Sequence, residues 1–263
     1  GLPEIANKNM LAKFFNQNYK SLIIVILILL GLAVYSNTFH NSFHFDDKLS
    51  ITDNFTIRNI QNLQNIWNFW PTRFIAYFSF SINYHFNHLS VFGYHLVNVL
   101  IHIISAILVF CFILLTFSTP KMKDENIAKH AKLIAFFAAL IFLTHPIQTQ
   151  AVTYIVQRIA SLATLFYLAS LVFYIKSRLR EEKLVNGNIY YFLSLIMAVI
   201  AMFTKEMTIT LPLMVLLYEA YFFKAKKGIK SVKLIPFFIT LLIIPLTMLV
   251  SKYLNTREIQ IVK

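Results

Sequence analysis

The sequence predicts an all-α membrane protein: a bundle of about seven transmembrane helices with a long first outer loop that carries interfacial helices. Three observations carry that reading. Of 263 residues, 58% are hydrophobic and 13% charged, too few charges to cover a soluble domain of this size. Mean hydropathy is +0.65. The apolar residues gather into runs near the ~20 residues that cross roughly 30 Å of hydrocarbon, and the basic residues fall in short clusters between them.

The runs are Ser21 to Tyr35, Gly93 to Phe117, Leu133 to Thr144, Ile159 to Ile175, Tyr190 to Phe203, Ile209 to Phe223 and Leu234 to Val250. Some are short and need neighbouring polar residues to complete a span. Lys8, Lys13 and Lys20 precede the first run, as in a signal peptide, but Ala33-Val34-Tyr35-Ser36 is a poor cleavage site. The first run therefore reads as an uncleaved anchor. Residues 1–20 form a cytoplasmic segment, 21–250 the transmembrane domain with its outer loop at 37–92, and 251–263 the start of an outer segment.

Orientation follows from the basic residues. With the N-terminus inside, the inner segments hold Lys8, Lys13 and Lys20; Lys121, Lys123, Lys129 and Lys132; Lys176, Arg178, Arg180 and Lys183; and Lys224, Lys226, Lys227, Lys230 and Lys233. The outer segments hold Lys48, Arg58, Arg73, Arg158, Lys205, Lys252, Arg257 and Lys263. The split is 16 against 8, the asymmetry of a cytoplasmic face rich in positive charge. The net charge of +13 thus orients helices and does not mark a nucleic-acid binder, which collects its cations on one folded face. A single cysteine, Cys111 in an apolar run, excludes an internal disulfide and a cysteine metal cluster. It is either lipid-facing or packed.

Within the long outer loop, Ile60, Leu63, Ile66, Trp67 and Trp70 form one helical stripe, and Phe74, Tyr77, Phe78, Phe80 and Ile82 a second. Aromatic helices too short to cross belong in the interface, with Pro71 dividing the two. The same loop holds the adjacent Asp46 and Asp47. Thr144-His145-Pro146, Gln157-Arg158 and Lys205-Glu206 reach the same face from other segments. Ionisable residues at the hydrocarbon boundary usually face a cavity or a partner.

Each candidate has a plain alternative. Asp46 and Asp47 fit a solvated turn or helix cap, or a pair whose repulsion raises one pKa and suits it to proton abstraction. Arg73, Arg158 and Lys205 each fit a side chain snorkelling to the interface; together they fit a phosphate site, with paired donors from arginine and a compact charge from lysine. His145-Pro146 fits a helix stop. His95, Asn98 and His102 share one helix face, and interhelical hydrogen bonds suit them better than a metal, since seven residues separate the histidines. Glu219 is expected to pair with Lys224 or Lys226. Asn54-Phe55-Thr56 matches the short glycan-acceptor pattern. No glycine-rich phosphate loop, nucleophile elbow or zinc motif is present.

Several stretches resemble a known family. Tyr35-Ser36-Asn37-Thr38-Phe39, Phe43, Phe45-Asp46-Asp47 and Ile51 to Asn54 are similar to the first outer loop of GT-C fold membrane glycosyltransferases. The likeness is to the transmembrane and tetratricopeptide-repeat O-mannosyltransferase-like group and its bacterial relatives. It continues in order through Pro71-Thr72-Arg73, Gly93 to Asn98 and His102, His145 to Val152, Gln157-Arg158, and Lys205 to Thr210.

The resemblance implies a GT-C-like bundle that transfers a sugar from a polyprenyl phosphate to an acceptor hydroxyl at the outer face, with inversion. Asp46 or Asp47 would deprotonate or position the acceptor. Arg73, Arg158 and Lys205 would neutralise the departing phosphate, and His145, Gln157 and Glu206 would orient the substrates. No cofactor is required, though a divalent cation at Asp46 and Asp47 is conceivable. The implied partners are a polyprenyl-phosphate sugar, an acceptor protein or glycan, and membrane lipids, with no nucleic acid. Family members continue with further spans and a soluble repeat region, whereas this sequence begins Gly1-Leu2-Pro3 and stops at Lys263, so a C-terminal repeat domain or a partner subunit is expected beyond it. A composition rich in Asn, Lys, Ile and Phe suggests a bacterial inner membrane, the active site facing the periplasm. The competing reading is a noncatalytic GT-C-like subunit that scaffolds a larger complex.

Overall fold

The computed structural model describes the backbone of residues 2–223 and 231–261 and the side chains of residues 18–223 and 232–252. The side chains of Lys8, Lys13, Lys224, Lys226, Lys227, Lys230, Arg257 and Lys263 lie outside those described. Every regular element among the described residues is helical, so the chain is an all-α membrane protein. Five helices are long and apolar enough to cross a membrane: Val91–Phe117, Asn126–Thr144, Ile155–Glu182, Glu206–Phe223 and Val232–Lys252. The first and fifth expected spans correspond to the shorter apolar helices Asn18–Val34 and Asn188–Met202.

The helices, in chain order, are α1 (Leu2–Val34), α2 (Leu63–Phe69), α3 (Phe74–Asn87), α4 (Val91–Phe117), α5 (Ala131–Thr144), α6 (Thr149–Thr153), α7 (Arg158–Glu182), α8 (Asn188–Met202), α9 (Leu211–Tyr218), α10 (Ser231–Ile239) and α11 (Ile243–Ile261). Helix α4 packs on α5 and α7, and α7 packs on α8. Helix α1 joins α4 and α5 through Leu27, Val99, Ile103, Ala139 and Leu143. A Cβ on Gly31 would come within 2.5 Å of the Ile103 side chain, the close backbone approach that small residues allow between membrane helices. Cys111 packs against this core.

Of the α4 residues expected to bond between helices, His102 and Asn98 reach α5 and the segment around α6, whereas His95 reaches the long outer loop instead. The His95 ring lies 2.9 Å from the Asn41 carbonyl and 3.3 Å from the Thr38 hydroxyl. His102 lies 3.0 Å from the Leu143 carbonyl and 3.4 Å from the Tyr35 hydroxyl. Asn98 donates to the Val152 and Ile155 carbonyls at 3.3 and 3.2 Å. A polar side chain inside a helix bundle finds its partner on another segment because none is available in hydrocarbon.

The loop is folded onto one end of the bundle. Its α2 begins later than the sequence stripe suggests, because the Asn62 side chain accepts the Asn65 amide at 3.1 Å and starts the helix there. Pro71 opens a 3-10 turn, Pro71–Arg73, between α2 and α3. Ile51, Ile57, Ile66, Ala76, Tyr77 and Phe80 pack with Ile155, Val156 and Ile159 into one core. Fully burying a side chain the size of isoleucine or phenylalanine contributes roughly 1.5–3 kcal/mol, so this core fixes the loop against the start of α7. Asn54 is buried and bonds the Ser50 carbonyl at 3.1 Å and the Thr56 amide at 3.0 Å. The short glycan pattern is therefore a loop cap.

At the opposite end Glu219 has partners on α7, while its expected partners Lys224 and Lys226 lie outside the described residues. Its two oxygens are held by the Arg178 guanidinium, each at 2.8 Å, and by the Tyr174 hydroxyl at 3.0 Å. Arg178 also reaches Glu181 at 3.0 Å, and Lys233 pairs with Glu181. Among the described residues the partners of Glu219, Arg178 and Tyr174, both come from α7.

Candidate functional site

The loop end holds a cavity of about 540 Å3, inside the roughly 300–1,000 Å3 range of small-molecule sites. Four separate stretches line it: the loop with Asp46, the α2–α3 junction with Trp70 and Arg73, the start of α7 with Gln157 and Ile159, and the α8–α9 connection with Lys205. Four of the eight expected site residues therefore share one space.

The adjacent aspartates are used differently. Asp47 is 1% exposed, and its oxygens accept the Val156 amide at 2.7 Å and the His44 amide at 3.0 Å. Burial raises its pKa and the two amides offset part of that. Asp46 is exposed, lines the cavity and donates its amide to the Tyr154 hydroxyl at 2.9 Å. Asp47 thus pins the loop to the start of α7 and leaves Asp46 as the accessible carboxylate. Among the described residues no three His, Cys, Asp or Glu side chains gather to hold a metal ion, and with Asp47 sealed these residues fit the divalent cation considered for this pair poorly.

The cations also separate. Arg158, expected to bind phosphate, is fully buried. It donates to Asn98 at 2.7 Å, Asn83 at 2.8 Å, the Tyr94 carbonyl at 2.9 Å and the Ser79 carbonyl at 3.4 Å, and its guanidinium sits 4.7 Å from the Phe80 ring. Its donors are spent on α3 and α4, so it cements the loop core and does not reach the cavity. Arg73 lies 4.2 Å from the Trp70 ring and is held through Nε by Glu206 at 3.1 and 3.2 Å. That geometry leaves both terminal nitrogens of Arg73 without a hydrogen bond among the described residues.

Glu206 also accepts from the Thr72 hydroxyl at 2.6 Å and the Trp70 indole at 3.4 Å, and the Ile75 amide bonds the Phe203 carbonyl at 3.0 Å. Glu206 therefore clamps the Arg73 turn to Lys205 instead of lining the cavity. Lys205 is half-buried, and its ammonium has no hydrogen bond or ion pair among the described residues. Burial, and then the nearby Arg73 charge, lower its pKa, while Glu206 opposes them. His145 does not join the site: it is exposed, and its Nδ1 accepts the Ile147 amide at 3.2 Å, capping the turn after α5.

Sequence reasoning passed over Tyr154 and Trp70 as site residues, the one between two recognised stretches, the other read as an interfacial anchor. Below the cavity, Ala163, Thr164, Tyr167, Met207 and Thr208 line a largely apolar groove of about 250 Å3. Ile159, Ala163 and Tyr167 follow at four-residue steps, so they share one face of α7 and descend about 6 Å per step. The segment from Lys205 to Thr210 borders the cavity first and then the groove.

The chain is similar to curated proteins of the group it resembles. It is 30% identical to protein O-mannosyl-transferase F38B6.6 of Caenorhabditis elegans over 171 residues, 59% of this chain and 23% of that protein. It is 25% identical to protein O-mannosyl-transferase TMTC3 of Mus musculus over 225 residues, 80% of this chain and 22% of that protein. It is 34% identical to protein O-mannosyl-transferase TMTC4 of Homo sapiens over 124 residues, 45% of this chain and 16% of that protein. The chain thus spans about a fifth of the length of such relatives. No family model matches it, and no solved structure matches it.

Proposed function

From a membrane chain similar to protein O-mannosyl-transferases, we propose that it forms the catalytic end of a GT-C-like glycosyltransferase. The enzyme takes a sugar, mannose by likeness to the relatives' names, from a polyprenyl phosphate and passes it to a hydroxyl of an acceptor protein. The observation that carries the reading is the single cavity uniting Asp46 with Arg73, Gln157 and Lys205 from four stretches of chain. The loop end faces outward, the periplasmic side if the membrane is a bacterial inner one, because the chain's basic clusters fall on the opposite side.

In this mechanism the Asp46 carboxylate takes the proton of the acceptor hydroxyl as its oxygen bonds to the anomeric carbon. The bond from that carbon to the phosphate oxygen breaks, its electron pair leaves with the phosphate, and the sugar inverts. The terminal nitrogens of Arg73 and the Lys205 ammonium meet the charge that develops there, in a setting where fixed donors act more strongly than in water. Gln157 orients one of the substrates. Glu206 holds Arg73 in place, and Asp47 and Arg158 fix the loop that carries Asp46. The apolar groove below Lys205 suits the isoprenoid chain of the donor.

The test is sugar transfer from polyprenyl-phosphate mannose to a hydroxyl-bearing peptide, using the whole protein in its membrane. R73A and K205A are each expected to raise the donor KM and lower kcat. Unchanged kinetics in the double variant favour the scaffold reading.

A further inference from the structure

This inference rests on the reading of Asp46 given above. We propose that Tyr154 is a positioning residue for Asp46: its hydroxyl holds the strained turn that presents this carboxylate to the cavity.

The turn needs holding. Phe45 has φ 43°, a left-handed conformation that is strained for a residue with a Cβ. Its side chain is 87% exposed, so core packing does not stabilise that conformation. Glycine, the residue that adopts it without strain, is not used here. Strain of this kind persists where surrounding contacts over-determine it, and it clusters at functional sites.

Within the turn the His44 amide donates to the Asp47 carboxylate at 3.0 Å and the Asp47 amide to the His44 carbonyl at 2.9 Å, and two further contacts run to the stretch just before Gln157. One is the sealed Asp47 carboxylate on the Val156 amide at 2.7 Å. The other is the Tyr154 hydroxyl, which accepts the Asp46 amide at 2.9 Å, with the Phe45 ring edge-on to the Tyr154 ring at 6.4 Å. Tyr154 acts on the residue that bears the carboxylate, whereas Asp47 acts one residue later. Because the Tyr154 oxygen accepts the amide, its own proton remains available to the Asp46 side chain. Burial raises the pKa of that hydroxyl, the bond from the Asp46 amide opposes this, and the charges of Asp46 and Asp47 raise it further, so the hydroxyl keeps its proton.

The test is Y154F, which removes the hydroxyl and keeps the ring that Phe45 touches, alongside D46N. Losing a hydrogen bond between uncharged groups is worth about fivefold, so kcat in Y154F is expected to fall by about that factor. The donor KM and thermal melting stay at wild-type values. The fall is confined to kcat, because the hydroxyl acts on the Asp46 backbone and not on the donor. Wild-type kcat in Y154F, with D46N inactive, overturns the positioning role alone. A lower kcat accompanied by lower melting or a raised donor KM overturns it as well, marking Tyr154 as a structural contact. Retained transfer in D46N instead removes the reading of Asp46 on which the proposal stands.

Discussion

An arginine and a glutamate pair at each end of the bundle, and the two pairs are built to opposite purposes. Arg178 and Glu219, 1% and 0% exposed, have their charges spent on each other, on Tyr174 and on Glu181. Arg73 and Glu206, each 27% exposed, meet through Nε only, beside a lysine with no ion-pair partner among the described residues and a cavity of about 540 Å3. The first pair is closed and holds α7 against the segment after α9. The second leaves donors over. The difference separates a structural ion pair from a binding site more surely than the residue types do.

The comparison breaks first at the closed pair. R178M strands Glu219 in a buried site, and removing one partner of such a pair costs about 3–5 kcal/mol. Thermal unfolding in detergent should show a large loss in R178M and recovery of most of it in R178M/E219L, where neither charge remains. At the open pair the same experiment inverts. R73A with K205A is expected to lower transfer by about 10²–10³, the size seen when a preorganised donor is lost, with little change in melting.

Smaller effects sharpen the contrast. D47A leaves the Val156 and His44 amides without their acceptor and should cost about 1–3 kcal/mol of stability, measured by denaturation. E206Q removes a half-exposed ion pair worth about 0–1 kcal/mol, so melting should barely move while the donor KM rises. The Lys205 pKa lies below its ordinary value through burial, so its ammonium loses its proton at a lower pH than an exposed lysine. Donor affinity should therefore weaken as pH rises on the alkaline side, and K205R, which stays charged, should flatten that limb.

Much of this architecture is legible in the sequence because hydrocarbon imposes strong rules. Apolar runs mark the spans, and Asn98 and His102 announce interhelical hydrogen bonds because membrane interiors offer no water. Distinctions set by tertiary partners are not legible. Asp46 and Asp47 share one local setting, and what separates them is the Val156 amide, 109 residues away. Arg158 reads as a site cation next to Gln157, yet its acceptors are Asn83, Asn98 and carbonyls of α3 and α4, which no spacing rule points to. No spacing rule joins Glu219 to Arg178, its partner among the described residues, 41 residues back. Sequence marks where charges gather, and packing decides which of them stay open.

The most direct test compares sugar transfer by D46N and D47N with that of the wild-type protein, each normalised to folded protein in the membrane. The account predicts that D46N loses transfer by about 10²–10⁴, the range for removing a general base, with unchanged melting, while D47N loses stability first and keeps measurable transfer per folded molecule. Full transfer by folded D46N would contradict it.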